Sequence, residues 1–362
     1  MSNNHSIFTS PQAKFQSALK LWLLIGMVMI FVQIVVGGIT RLTGSGLSIT
    51  KWEIVLGALP PINAEQWETA FDLYKATPQY QKINQGMSMG EFKFIYFWEY
   101  IHRLWARSMG FVFLFPFLFF WRKGAISPLL MRRLGITVLL AAVVAAFGWI
   151  MVASGLVNRP WVNAYKLTLH LSLALLVYCY LWWTILLVSP PKVQVFHTPL
   201  LKMWGKRLIA LTAIQIALGG MMSGMKAGLF YPTWPDMNGE IVPGLLFQIS
   251  QWNADNFIHY DSGPFMSALV QTLHRGVAYI LTIIMLWFIE KTWRLAETAA
   301  LRIGLGLLLA ALLAQVLLGI LTVINCVGSI PVALGVLHQA GGVLLLTAVL
   351  YVYFQVRQVK NA

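Results

Sequence analysis

The stretch FIYFWEYIHRLWARSMGFVFLFPFLFFW, residues 94–121, decides the fold. It exceeds the about 20 apolar residues that cross a bilayer as a helix. Yet it carries Glu99, His102, Arg103 and Arg107 within it. Ionisable side chains are costly in hydrocarbon and turn toward partners inside a helix bundle. The stretch therefore reads as one member of a membrane bundle with a polar centre.

Seven further apolar runs surround it, giving spans at 19–38, 94–121, 134–155, 165–188, 204–223, 266–289, 301–325 and 331–354. Composition agrees. Of 362 residues 58% are hydrophobic and only 10% charged, which excludes an ordinary soluble globule. The net charge of +14 does not signal nucleic acid, because cytoplasmic loops of membrane proteins collect Lys and Arg. The two cysteines, Cys179 and Cys326, form no CxxC and no disulfide framework. The first span reads as a retained helix, and no Arg- and Ser-rich transit peptide precedes it, which favours a bacterial inner membrane.

Charge sets the expected topology. Arg122, Lys123, Arg132 and Arg133 lie between spans two and three, and Lys192, Lys202, Lys206 and Arg207 between spans four and five, without an acid in either connection. Both connections, and both termini, are expected in the cytoplasm. The long connections 39–93 and 224–265 then lie outside, where their Trp, Tyr, Pro and Gly content suits folded caps.

The chain repeats itself. Gln33-Ile-Val-Val-Gly37-Gly38 recurs as Gln215-Ile-Ala-Leu-Gly219-Gly220, and Gln315-Val-Leu-Leu-Gly319 carries the pattern again. Glu99-Tyr-Ile-His102-Arg103 recurs as Gln271-Thr-Leu-His274-Arg275, and His170 matches His338. The expected fold is all-α: eight transmembrane helices as two tandem pseudo-symmetric four-helix units, residues 1–190 and 191–362. The glycine pairs are expected to pack helices, within the chain or between chains.

Of seven histidines, His5, His197 and His259 fall in tails or loops. His102, His170, His274 and His338 lie inside even-numbered spans, about six to ten residues past the outer end, roughly 9–15 Å deep at 1.5 Å per residue. Interhelical hydrogen bonds, a zinc or copper site, a proton relay and axial ligation of haem all use such histidines. Two per unit, in register with the repeat, favour bis-histidine haem sites in the bundle core.

The units differ in one position. Glu99 lies three residues before His102 and on the same helix face, whereas Gln271 occupies the matching place before His274. Only the carboxylate can take a proton or stabilise developing positive charge, so chemistry is expected in the amino-terminal unit and electron transfer in the other. Arg103 and Arg275 project about 100° away from their histidines, toward haem propionates or neighbouring helices. Trp52, Trp67, Trp98, Trp234 and Trp252 suit an interfacial belt better than a haem wall.

At this point the chain resembles the haem A synthases in their proteobacterial and mitochondrial form. The likeness rests on Gly37-Gly-Ile-Thr-Arg-Leu-Thr-Gly-Ser-Gly-Leu-Ser48, Gly57-Ala-Leu-Pro-Pro61, Glu91-Phe-Lys93 and Glu99-Tyr-Ile-His-Arg103. It continues through Gly148-Trp149, Met151-Val152, Ser154-Gly-Leu156 and Leu169-His170-Leu171. The second half adds Ala227-Gly-Leu229, Thr233-Trp-Pro235, Met237, Gly239, Pro243, Gln271-Thr-Leu-His-Arg275 and Leu337-His-Gln339. The resemblance implies oxidation of the C8 methyl of haem O to the formyl group of haem A. It implies that His274 and His338 bind a resident haem b, that His102 and His170 bind the substrate haem, and that Glu99 is catalytic. By analogy it also implies a haem O synthase and oxidase assembly factors as partners. The Bacillus-type relatives carry cysteine pairs in the outer loops; residues 39–93 and 224–265 here contain none. Two other classes answer to the same residues: a dihaem membrane cytochrome that only passes electrons, and a transporter, whose site would lie nearer mid-membrane.

Overall fold

The structure, a computed structural model, describes residues 14–50, 59–155, 160–189 and 198–357. His5, His197, Trp52 and Lys192 lie outside the described residues. The helices in chain order are α1 (Gln16–Leu42), α2 (Ala64–Lys75), α3 (Pro78–Lys82), α4 (Met89–Arg122), α5 (Pro128–Gly155), α6 (Ala164–Val188), α7 (Pro199–Gly224), α8 (Ala254–Ile258), α9 (Phe265–Arg294), α10 (Ala299–Ile324) and α11 (Val332–Val356). Eight of them, all but α2, α3 and α8, are long and apolar enough to cross a membrane. At about 1.5 Å per residue even the shortest exceeds the roughly 30 Å hydrocarbon core. The only β-pairing among the described residues is an isolated bridge between Met237 and Glu240.

Local sequence explains where the helices start. Ser88 and Glu91 form a reciprocal capping box that begins α4 five residues before its apolar run. The Asn163 side chain accepts from the N–H groups of Tyr165 and Lys166 at the start of α6, and Thr298 caps α10. These caps satisfy backbone donors at the helix ends, where lipid offers no partner.

The inner helices are α1, α6, α7 and α11. Within each repeat α1 packs on α6 and α7 on α11; between repeats α6 packs on α7 and α11 on α1. Each inner helix also takes one outer partner, in the pairs α1–α4, α6–α5, α7–α9 and α11–α10. One contact breaks the pattern. The outer helices α9 and α10 pack on each other, but α4 and α5 are not a closely packed pair among the described residues.

Small residues let the halves meet. A Cβ added to Gly224 of α7 would lie 2.6 Å from the Cβ of Ala164 in α6, and one on Gly220 would lie 3.2 Å from Thr168 Oγ1. The glycine pairs thus pack helices within the chain. Polar links cross the same seam. Tyr178 and Thr347 share a hydroxyl hydrogen bond of 2.9 Å, and Gln339 donates to the Ile34 carbonyl at 2.7 Å. Arg41, at the end of α1, donates to the Ser223 and Gly224 carbonyls at 2.8 and 3.0 Å, capping the end of α7. Tyr260 from the loop between α7 and α9 accepts the Ala164 N–H at 2.9 Å, where α6 begins.

Candidate functional site

Each of the four intramembrane histidines sits against a glycine of the helix paired with its own. A Cβ on Gly37 of α1 would come 3.2 Å from His102 Nε2 of α4. On Gly148 of α5 it would come 2.9 Å from His170 Cε1, on Gly219 of α7 3.4 Å from His274 Cε1, and on Gly319 of α10 2.9 Å from His338 Cε1. The four joints repeat one design, in which a missing side chain makes room for an imidazole. Gly319→Ala is expected to push His338 off its position and lower haem retention severalfold, because a core this close-packed does not absorb a methyl group. Haem content per purified chain measures it, and an unchanged value would remove the glycine from the design.

Three joints carry a second element. Four residues before the glycine, Gln33, Gln215 and Gln315 donate from Nε2 to the backbone carbonyls of His102, His274 and His338 at 3.1, 2.9 and 3.0 Å. Sequence reading finds this Gln-x3-Gly repeat but not its purpose, since periodicity does not reveal which carbonyl a side chain reaches. At the fourth joint the matching residue is Val144, which has no donor.

The carboxy-terminal pair has geometry suited to sandwiching a metal. The His274 and His338 ring centroids lie 6.3 Å apart. Two imidazoles ligating one metal from opposite sides, each at about 2 Å, have centroids about 6 Å apart. His102 and His170 stand at the two matching joints of the amino-terminal half. The His170, His274 and His338 rings each meet the backbone of the paired helix, at Val144, Gln215 and Gln315, and the residues as a whole stay only half-buried. The donor set is imidazole alone. Among the described residues no three His, Cys, Asp or Glu side chains converge, which disfavours a zinc or copper cage and fits axial ligation of haem.

Glu99 lies ten residues into α4 and is 3% exposed, so it does not cap the helix start. Its Oε2 accepts from the Ser48 hydroxyl at 2.7 Å and the Ile49 N–H at 2.8 Å, and its Oε1 pairs with Arg103 at 2.5 Å. Arg103 also donates to the Ile49 carbonyl at 3.1 Å. Glu99 and Arg103 together clamp the segment after α1 onto α4. In the second repeat Gln271 donates to the Tyr231 carbonyl at 2.8 Å, and Arg275 donates to the carbonyls of Tyr231, Thr233 and Asp236 at 3.1, 2.7 and 2.6 Å. The clamp is the same and the chemistry differs: a carboxylate in one, backbone carbonyls and an amide in the other. Arg103 and Arg275 thus bind loop backbone above the histidines.

The second clamp is electrostatically tuned at its edge. The Thr233 hydroxyl, then the Gly239 N–H, hold the Asp236 carboxyl below its ordinary range, with Arg275 adding to the effect. On the first side, Arg103 and Arg107 line a cleft of about 360 Å³ with Ser48, Tyr96 and Tyr100. The other sequence candidates fall elsewhere. Trp67 of α2 packs on Tyr96 and Phe92 of α4, and Trp252 packs edge-on to Phe265. His259 is exposed and pairs with Asp255 at 2.7 Å. Cys179 and Cys326 are free thiols.

Residues 20–350 match the family model COX15-CtaA, described as cytochrome oxidase assembly protein. The Heme A synthase of Nitrosospira multiformis is 38% identical over 353 residues, covering 97% of this chain and 96% of the relative. That of Bradyrhizobium sp. (strain BTAi1) is 40% identical, covering 94% and 91%, and that of Parvibaculum lavamentivorans 42%, covering 90% of each. With such identity along nearly its whole length, the chain belongs to the haem A synthase family.

Proposed function

We propose that this chain oxidises the C8 methyl of haem O to the formyl group of haem A. In this reading His102 and His170 of the amino-terminal unit (residues 1–190) hold the substrate. His274 and His338 of the carboxy-terminal unit (residues 191–362) hold a resident haem b. The observation that carries it is the doubled glycine–histidine joint with an acid beside only one pair. Converting the methyl to a formyl group removes four electrons and adds one oxygen, through two hydroxylations and loss of water from a geminal diol. Each hydroxylation consumes either dioxygen with two donor electrons and two protons, releasing water, or water with an acceptor for two electrons. When bound, the haem b supplies one-electron transfer.

The chain's own groups do the rest. The two histidines would hold the substrate porphyrin, with the Glu99 clamp three residues before His102 on the same helix. Withdrawing electrons from the ring methyl builds positive charge there, and a fixed carboxylate stabilises it. Glu99 can also take the methyl proton, with Ser48 as its hydrogen-bonded neighbour. Arg107, along the adjacent cleft, supplies the charge that a substrate carboxylate requires, while Arg103 stays committed to Glu99 and Ile49.

The charge asymmetry of the loops supports cytoplasmic termini, a bacterial inner membrane and haem sites in its outer half. A haem O synthase and oxidase assembly factors are the fitting partners. The test is expression in a host that makes haem O but no haem A, followed by chromatography of extracted haems. Haem A or its hydroxylated precursor is expected only with this chain. Haem b alone, with haem O and an electron donor present, would instead make it a dihaem electron carrier.

A further inference from the structure

The two haem sites share a design but have opposite needs: a substrate site must release its haem after every turnover and a cofactor site must not. The outer helix at each second joint differs accordingly. In the carboxy-terminal unit α10 is held in three ways. Gln315 donates to the His338 carbonyl, its side chain lies against Gly341 and Gly342 of α11, and α10 also packs on α9. In the amino-terminal unit Val144 replaces the glutamine, and Leu173 of α6 stands at the repeat position of Gly341. Among the described residues α5 packs along α6, and near its start Leu130 and Leu134 join a buried cluster with Phe120 of α4 and Leu19 and Trp22 of α1.

The attachment of α5 is also uneven along its length. Near its beginning Arg133 donates to Thr184 Oγ1 at 2.9 Å and lies 4.6 Å from the Tyr180 ring centroid. At the level of the histidines the Val144 backbone hydrogen-bonds the His170 ring. Gly148 takes the His170 ring, and a Cβ on Gly155 would come 2.9 Å from Leu47. Without the glutamine link and the second helix neighbour that hold α10, α5 tilts more readily about its pinned start.

We infer that α5 is the movable wall of the substrate site, and that Val144 against Gln315 decides which haem is exchanged and which is retained. The inference rests on the assignment of the two histidine pairs to two haems. Substrate haem O, a porphyrin with a long isoprenoid chain, passes sideways between α4 and α5, which do not close on each other as α9 and α10 do.

The test is haem release from the full-length chain in detergent to a haem-free globin, followed by absorbance. Each site is isolated by removing the other, with His102→Ala leaving the carboxy-terminal pair and His274→Ala the amino-terminal one. The amino-terminal site is expected to release faster. Gln315→Val should speed release from the carboxy-terminal site about fivefold, the factor one net hydrogen bond confers. Val144→Gln with Leu173→Gly, which supplies both the donor and its berth, should slow release from the amino-terminal site by a similar factor. Equal release from the two unmodified sites, or rates unmoved by Gln315→Val, would overturn the inference. If His102→Ala removes no haem, the site assignment itself falls, and haem content shows that before any rate is measured.

Discussion

His274→Ala and His338→Ala should each abolish tight binding of haem b. Loss of an axial imidazole exceeds the 10–100-fold that removing an outer-shell partner usually costs, so affinity should fall by more than about 100-fold. Purified variants should lose the reduced-minus-oxidised haem b spectrum and all turnover. His259→Ala, at an exposed loop histidine, should change neither. Full haem b retention in both ligand variants would show that the 6.3 Å ring pair is a packing contact and nothing more.

The second large effect falls on Glu99. Glu99→Gln gives the amino-terminal clamp the amide found at Gln271, so the fold and haem b content should persist. Turnover should drop by about 100-fold or more, the span of a lost general base or charge stabiliser. Haem O, or the singly hydroxylated product, should accumulate in place of haem A. Glu99→Ala is a harsher change, because glutamine keeps an oxygen that accepts from Ser48, the Ile49 N–H or Arg103 and alanine keeps none; breaking a buried pair outright costs about 3–5 kcal/mol. The reciprocal Gln271→Glu should leave haem A yield near normal. If Glu99→Gln makes haem A at the usual rate, the carboxylate serves only to hold the loop.

Much of this was legible in the sequence, for a physical reason. A bilayer demands long apolar runs, so eight spans could be read directly, and any histidine within one stands out. The acid–amide difference at positions 99 and 271 needed only the repeat. What the chain of letters did not yield was direction. Arg103 follows His102 and reads equally as a propionate ligand or a neighbour contact; the structure turns it to Glu99 and Ile49. Gln33, Gln215 and Gln315 were visible as a pattern, but their targets are carbonyls on other helices, which periodicity cannot name. The absence of a fourth glutamine at Val144 carries meaning only once Gly148 and Gly319 occupy equivalent joints.

Arg41 has a consequence for how such a molecule arises. Its guanidinium is spent on the Ser223 and Gly224 carbonyls, where the partial negative charge of a helix end takes the place of an acid. The cation belongs to one repeat and its counter-charge to the other. Expressed alone, the first repeat would bare that guanidinium to lipid and the second would leave a helix terminus uncapped. An ancestral single unit could have met both needs by pairing with its own twin.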